Sequence, residues 1–384
     1  MNIRRLQDAD VAGKTALVRV DLNLPRDANG NATDLTRLQA ALPTIRHLRE
    51  RGARVVLLSH LGRPGGKPDP GQSLAFAAPL LERELGEPVG FGEGADAGVT
   101  LLENTRFEPD ETSGDPALAK RWASLGDLFV MDAFSSAHRA HASVSGIAEH
   151  LPTYAGLALE REIDHIAQAL EHPERPVLGV VGGAKVSTKI GVLENLVAKL
   201  DILVIGGGMA NTFLAAQGHA MGRSLQEADQ HRTALAILDA AKQAGCSVLL
   251  PVDVVVAESF EAHAKHRTAL PNDVHPHEMI LDAGPATVDA IVDAVSAAKT
   301  VLWNGPLGAF ELPPFDTATV ECACFVAKQT RAGQLVSVAG GGDTVAALNA
   351  AGVADDFTFV STAGGAFLEW MEGKALPGVE IVRA

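Results

Sequence analysis

Apolar runs of strand length alternate with helical patterns along almost the whole chain, and this alternation constrains the fold more than any other feature. TALVRVDLNL (15–24), ARVVLLSH (53–60), VTLLEN (99–104) and DLFVMDAF (127–134) form a first series. VLGVVGG (177–183), DILVIGGG (201–208), SVLLPVDVVV (247–256), TVLWNG (300–305) and QLVSVAGGG (334–342) form a second. Near-continuous apolar strands separated by helices are the pattern of parallel sheets covered on both faces. The fold class is therefore α/β, with two doubly wound parallel-sheet (Rossmann-like) domains, and a length of 384 residues suits two. The reading places a first domain at 1–155, a connecting helix at 156–172 (GLALEREIDHIAQALEH, followed by Pro173 and Pro176) and a second domain at 173–360.

Charge narrows the classes of partner. The net charge of −15 repels nucleic acid and anionic membrane, so neither is expected. No apolar run approaches the roughly 18 residues a membrane span needs, and MNIRRLQDAD carries no apolar stretch after its arginines, so a cytoplasmic protein is expected. Three cysteines, Cys246, Cys322 and Cys324, are too few for a disulfide framework or a four-ligand zinc site, and their apolar neighbours point to ordinary burial. Residues 1–150 hold 17 Lys+Arg against 20 Asp+Glu, and 14 of those cations are arginine. The arginine fork grips carboxylate or phosphate with two hydrogen bonds; a codon bias toward arginine gives the same count.

In open α/β sheets ligands sit at the carboxyl ends of strands. Asp21 and Asn23 follow the first run, His60 and Arg63 the second, Arg106 the third, and His138, Arg139 and His141 the fourth. Any one of these suits a solvated loop; several converging on one sheet end suit an anion site.

The strand ends of the second domain are glycines instead: VVGGAK (180–185), IGGGMA (205–210), WNGPLG (303–308), AGGGDT (339–344) and STAGGA (361–366). Glycine lets backbone approach phosphate closely, and exposed N–H groups at a helix start favour anions. The loops bring forward Gly183, Ala184, Gly207 and the Gly340–Thr344 stretch. If a helix starts near Lys185, then Lys185 and Lys189 share one face at its N-terminal end, where cations are unfavourable unless an anion compensates them. Asp343, after three glycines, suits either a magnesium ligand or a helix N-cap. The pairs His138/His141 and His275/His277 have metal-like spacing, but with no supporting acidic or cysteine cluster they read as loop or anion-binding histidines. The pattern G-x-G-x-x-G is absent after the first strand, which ends DLNLP, and this argues against a nicotinamide dehydrogenase.

Taken together, RVDLNLP (19–25), TDLTRLQAALPTI (33–45), LLSHLGRP (57–64), LLENTRF (101–107), DAFSSAHRAHAS (132–143), GGAKVSTKI, GGGMANTFL (206–214), LWNGPLGAFE (302–311), GGGDT and GKALPGVE (373–380) closely resemble the phosphoglycerate kinase family. The resemblance implies a glycolytic phosphotransferase with a carboxyl group as acceptor, moving the acyl phosphate of 1,3-bisphosphoglycerate to Mg-ADP. It implies that Asp21, Asn23, Arg37, His60, Arg63, Arg106 and Arg139 bind the phosphoglycerate. Gly183, Ala184, Lys185, Lys189, Gly207, Asn304, Glu311, Gly340, Gly341, Gly342, Asp343 and Thr344 fall on the nucleotide side. Arg37 and Lys185 would bracket the transferred group, Glu311 would contact the ribose, Asp343 would hold Mg2+, and Gly364 and Gly365 would open a helix that stabilises the moving phosphate. It further implies a monomer, hinge closure involving 156–172, and a C-terminal segment, 361–384, returning to the first domain. The chain departs from the family pattern at Ile280 and Ala363, where glycine is usual, and at Ser135 and Ser136, where Gly-Thr is usual. The isoleucine is expected to narrow the adenine pocket and alter nucleotide affinity.

Overall fold

The computed structural model describes residues 1–384. Two compact units emerge: Met1–Asp164 with Ala375–Ala384, and His165–Lys374.

The first unit is built on a six-stranded, wholly parallel sheet of β1 (Thr15–Arg19), β2 (Arg54–Leu58), β3 (Val89–Phe91), β4 (Val99–Leu101), β5 (Leu128–Met131) and β6 (Thr153–Ala155). Their order across the sheet is β3-β4-β2-β1-β5-β6. The order reverses beside β1 and β5, so the loops after these two strands open a crevice. The helices are α1 (Thr36–Glu50), α2 (Ala77–Leu85), α3 (Pro116–Ala123) and the start of α4 (Leu157–Leu170). Local chemistry sets their ends. Asp115 caps α3 by accepting from the Leu118 amide at 2.8 Å with Pro116 in the first turn, and Gly86 ends α2 at φ 74°. Val18, Leu57 and Val130 at the sheet centre meet Leu38, Ile45 and Leu81 from the helices in one core.

The second unit repeats the plan with β7 (Val177–Val181), β8 (Ile202–Ile205) and β9 (Ser247–Leu249), and has a separate small sheet of β10 (Val254–Ala257), β11 (His266–Ala269) and β12 (Met279–Ala283). β13 (Thr300–Asn304), β14 (Val336–Gly340) and β15 (Phe359–Ser361) complete the main sheet, whose order is β15-β14-β13-β7-β8-β9, all parallel. Here the order reverses beside β7 and β13. Its helices are α5 (Ile190–Val197), α6 (Gly207–Ala216), α7 (His231–Ala244), α8 (Pro285–Ala297), α9 (Thr317–Arg331), α10 (Gly342–Ala350) and α11 (Gly364–Met371); the short α12 (Pro377–Glu380) belongs to the first unit. Trp303, Val180, Ile291 and Val326 anchor the second core.

Several expectations shift. The run at 247–256 is two strands, because Pro251 interrupts it; β9 is an edge of the parallel sheet and β10 is the centre of the antiparallel sheet β11-β10-β12. The returning segment starts at Ala375 rather than 361, because β15 pairs with β14 and Asn195 Nδ2 donates to the Met371 carbonyl at 2.7 Å, holding α11 in the second unit. The remainder joins the first unit through Arg4 N to Val382 O at 2.7 Å and Gly378 N to Ala137 O at 2.8 Å. The units part between Asp164 and His165, inside α4. Cys246 and Cys322 are buried, but Cys324 is exposed, since two residues along α9 turn a side chain to the opposite face. No helix is long and apolar enough to cross a membrane.

Candidate functional site

In the first unit, the loops after β1, β2, β4 and β5 supply a cluster of cations. Arg37, one position into α1, is held by the Asn23 carbonyl at 2.9 Å and by Asp21 Oδ2 at 3.4 Å, and its side chain is one-third exposed. Asp21 is steadied in turn by Ser135, whose hydroxyl donates to Oδ2 at 2.5 Å. Asn23 Oδ1 accepts from the Gly62 amide at 3.0 Å and so links the β1 and β2 loops. Arg63 is exposed and its guanidinium has no hydrogen-bond or ion-pair partner, whereas buried Arg106 donates to the Gly62 carbonyl and leaves Nε unpartnered. Buried Asn104 braces this floor through Leu61 and the Arg106 amide. Burial, then the neighbouring Arg139, Arg19 and Arg63, pushes Arg106 down to about 10. His60 is pushed well below its ordinary value by burial and then by Arg19, Arg106 and Arg139, and His141 falls to about 4 for the same kinds of reason. This cup repels its own charge, which is the electrostatic signature of a site awaiting an anion.

Two members of the cup escaped the sequence reading. Arg19, at the end of β1, is 1 % exposed and donates to Ser143 Oγ at 3.1 Å and Val20 O at 2.5 Å, with His60 Nδ1 at 2.9 Å. Glu111 is fully buried and accepts from the Ser143 amide at 3.0 Å and from its hydroxyl. An arginine inside an otherwise apolar strand was the available signal for the first. Glu111 lies in a polar turn and carried no signal.

The second unit gathers glycine loops around a cleft of about 470 Å3, a size suited to small-molecule ligands. Gly183, Ala184, Gly207, Glu311 and Asp343 line it, with Leu225, Pro251, Phe260, Met279 and Ile280 forming an apolar end. Close approach explains the loop sequence: a Cβ at Gly182 would lie 1.9 Å from the Pro306 carbonyl oxygen, and Gly341 has φ 101°. Asn304 Nδ2 donates to Gly340 O at 2.7 Å, and the Thr344 hydroxyl accepts from Gly305 N at 2.7 Å, so the β13 and β14 loops are tied together. Three of the five glycine loops open helices directly, at Gly207, Gly342 and Gly364. A Cβ on Gly364 would sit 3.7 Å from the Gly342 amide nitrogen, so the starts of α10 and α11 converge, with Gly365 in the first turn of α11. Neighbouring N-termini with free amides attract phosphate.

The lysines differ from the expected pair. Residues 186–188 form a 3-10 turn and α5 begins only at Ile190, so Lys185 and Lys189 do not share a helical face. Lys185 is exposed and its ammonium makes no hydrogen bond. Lys189 turns inward and donates to Gly182 O at 2.6 Å, Asn304 Oδ1 at 2.5 Å and Asn304 O at 3.1 Å. Burial pushes it down to about 8, opposed by the charge of Asp343. Asp343 is not the N-cap of α10, a position held by Gly341; it lies in the first turn, exposed to the cleft, and its carboxylate accepts no hydrogen bond. A hard oxygen donor left free beside a phosphate-binding helix start fits Mg2+, which takes one or two carboxylates and completes its shell with phosphate and water.

A model of the family described as phosphoglycerate kinase matches residues 6–374. The phosphoglycerate kinase of Maricaulis maris is 58% identical over 393 residues, covering 99% of this chain and 97% of that protein. Among solved structures, phosphoglycerate kinase from Coxiella burnetii superposes with a TM-score of 0.94 at 43% identity, covering 99% of this chain and 98% of that one. The Pyrococcus horikoshii enzyme gives 0.78 at 29% identity over the same shares. With the motifs, the paired parallel sheets and these likenesses in agreement, the chain belongs to the phosphoglycerate kinase family.

Proposed function

We propose that the two units divide one reaction between them, phosphoglycerate on the arginine cup of the first and nucleotide in the glycine-lined cleft of the second. The reaction is the family's: reversible transfer of the acyl phosphate of 1,3-bisphosphoglycerate to ADP, giving 3-phosphoglycerate and ATP. The observation that carries the division is the contrast in lining. Mutually repelling guanidiniums suit a small, highly charged acid, whereas converging helix starts beside an apolar wall suit a phosphate chain attached to a base.

Phosphoryl transfer asks for alignment and charge neutralisation rather than covalent help. A terminal oxygen of ADP attacks phosphorus, the bond from phosphorus to the acyl oxygen breaks, and the electron pair stays on the carboxylate of 3-phosphoglycerate. Arg106, Arg63, Arg139 and His60 bind the acid; Asp21 and Asn23 hold Arg37 so that its remaining donors face the moving group. Lys185, with an uncommitted ammonium, approaches that group from the nucleotide side. The starts of α10 and α11, at Gly342, Gly364 and Gly365, present amides to it. Glu311 meets the ribose, and Lys189 braces the loops after β7 and β13 from beneath. Mg2+, when held by Asp343, neutralises phosphate charge. The two sites would meet by a hinge motion with the segment 156–172 among the moving parts, which would exclude water. The net charge of −15 disfavours nucleic acid and anionic membrane as partners, in keeping with small-molecule substrates.

Turnover of 3-phosphoglycerate with Mg-ATP, followed by NADH oxidation through glyceraldehyde-3-phosphate dehydrogenase, tests this reading. The expected result is robust activity abolished by EDTA. Arg37→Ala should lower kcat by about 10²–10³-fold, the range for losing one preorganised charge contact, with the circular dichroism spectrum unchanged. No turnover from folded protein at saturating ATP overturns the reading. For the hinge, small-angle scattering should show compaction only with both substrates present.

A further inference from the structure

The histidines at 275 and 277 have one acidic neighbour in sequence, Glu278, and the fold brings a second, Glu258. His275-Pro276-His277-Glu278 forms the turn entering β12, and Glu258, just beyond β10, comes alongside it. His275 Nδ1 lies 3.5 Å from Glu278 Oε2, and His277 Nε2 lies 3.5 Å from Glu258 Oε1. The donor atoms of His275, His277 and Glu278 all fall within 4.8 Å of one another.

We propose that His275, His277, Glu278 and Glu258 form a binding site for a divalent transition-metal ion, with Zn2+ as the best match. Ligands about 2.0–2.1 Å from a tetrahedral zinc stand roughly 3.3 Å apart, so the two histidine–carboxylate pairs already have the required spacing. Closing the remaining gap calls for rotation of the exposed His275, His277 and Glu258 side chains toward the buried Glu278. Imidazole nitrogen with carboxylate oxygen suits zinc and its neighbours and not magnesium, which separates this site from the one at Asp343.

The turn is stiff before any metal binds. Glu278 N donates to His275 O at 3.0 Å and Arg223 N to Glu278 O at 2.7 Å, while Arg223 NH1 reaches Glu258 O at 3.1 Å. Arg267 Nε and NH2 donate to the Glu278 oxygens at 2.8 and 2.7 Å, and the His275 amide adds a third donor at 3.0 Å. A carboxylate offers about four lone-pair sites; Oε2 carries two of these donors and Oε1 one, so the site that remains for a metal is on Oε1. Arg267 also pairs with Asp273 at 3.2 Å, which reduces its repulsion of a cation. Glu278 is thus the anchored ligand and Glu258 the mobile one. Because β12 continues into Met279 and Ile280, which wall the cleft, a bound ion fastens one edge of that wall.

The test uses untagged, chelator-stripped full-length protein without nucleotide. Zn2+ is titrated calorimetrically into wild type, His275→Gln/His277→Gln and Glu258→Gln, with thermal melts in parallel. The expected result is one equivalent bound in the micromolar range and a raised Tm. Affinity should fall at least tenfold in the double variant and less in Glu258→Gln, with Mg2+-dependent turnover unchanged in zinc-free buffer. Wild-type affinity in the double variant would place the zinc elsewhere, such as on exposed Cys324, and overturn the proposal. So would the absence of binding below 1 mM.

Discussion

On the proposed division, the two units hold phosphate with opposite materials. The first uses side-chain charge: Arg106, Arg139, Arg63 and the fully buried Arg19 crowd together, each lowering the proton affinity of its neighbours, with Glu111 the buried counter-charge. The second uses backbone: glycine loops, converging helix starts and one buried lysine whose three donors are spent on protein carbonyls. A charge-built site carries its repulsion when empty, whereas a dipole-built site does not. The contrast predicts different responses to loss of a counter-charge, to pH and to a change of packing.

The largest effect should follow Glu111→Gln. The substitution keeps the side chain's size but removes the negative charge that offsets Arg19 and Arg106, leaving buried cations uncompensated. A stability loss on the order of 3 kcal/mol is expected in denaturant melts, in the range for breaking a buried charge arrangement. Added phosphate should restore more of the loss in the variant than it adds to wild type, because an anion in the cup replaces the missing charge. If phosphate stabilises both proteins equally, the cup is not self-repelling and the contrast between the units fails.

Titration should then separate the two sites. Lys189 is pushed down to about 8 while Arg106 stays near 10, so raising pH discharges the nucleotide side first. Above pH 8, loss of the Lys189 proton removes one of the three bonds bracing the Gly182 and Asn304 loops. The apparent kcat/KM for nucleotide, which reports the free enzyme, should fall up to about fivefold between pH 8 and 9 while that for 3-phosphoglycerate holds steady. Stability moves the other way. A lysine whose folded value lies below its ordinary 10.5 costs stability while protonated, so this contribution improves as pH rises from about 8 to 10.5. Parallel declines in both kcat/KM values would erase the distinction.

How far the sequence revealed all this follows the same division. Glycine loops after apolar runs are visible as strings, because backbone sites are written in residue type at fixed positions along the chain. The fold class, both parallel sheets and the strand-end loops were therefore legible. The charge-built site was only half legible: Arg63 and Arg106 stand in polar loops, but Arg19 was absorbed into an apolar run and Glu111 looked like a solvated turn. Its role exists only once Ser143, distant in sequence, is folded onto it. The lysine spacing misled for a related reason, since a 3-10 turn at 186–188 replaced the first helical turn and turned Lys189 inward. The antiparallel sheet was hidden because Pro251 divides one apolar run between two sheets, and that division is a tertiary outcome.

The smallest effect, and the finest probe of the dipole-built site, is at Ile280. It stands where the resemblance leads to an expectation of glycine, yet the cleft has about 470 Å3, and Ile280 also packs on the core of Val254, Val256, Ala269 and Val274. Only part of the side chain therefore faces the base, as one more panel in a wall of Leu225, Pro251, Phe260 and Met279. Ile280→Ala removes apolar contact without the backbone freedom of glycine, and should raise the nucleotide KM roughly threefold, less than the tenfold or more of a fully enclosed methylene because much of the side chain packs on its own core. The 3-phosphoglycerate KM should not move, since that substrate belongs to the other unit. A lower nucleotide KM would mean that the isoleucine obstructs the base, and the width of the apolar end, more than its contact area, would then set nucleotide affinity in this chain.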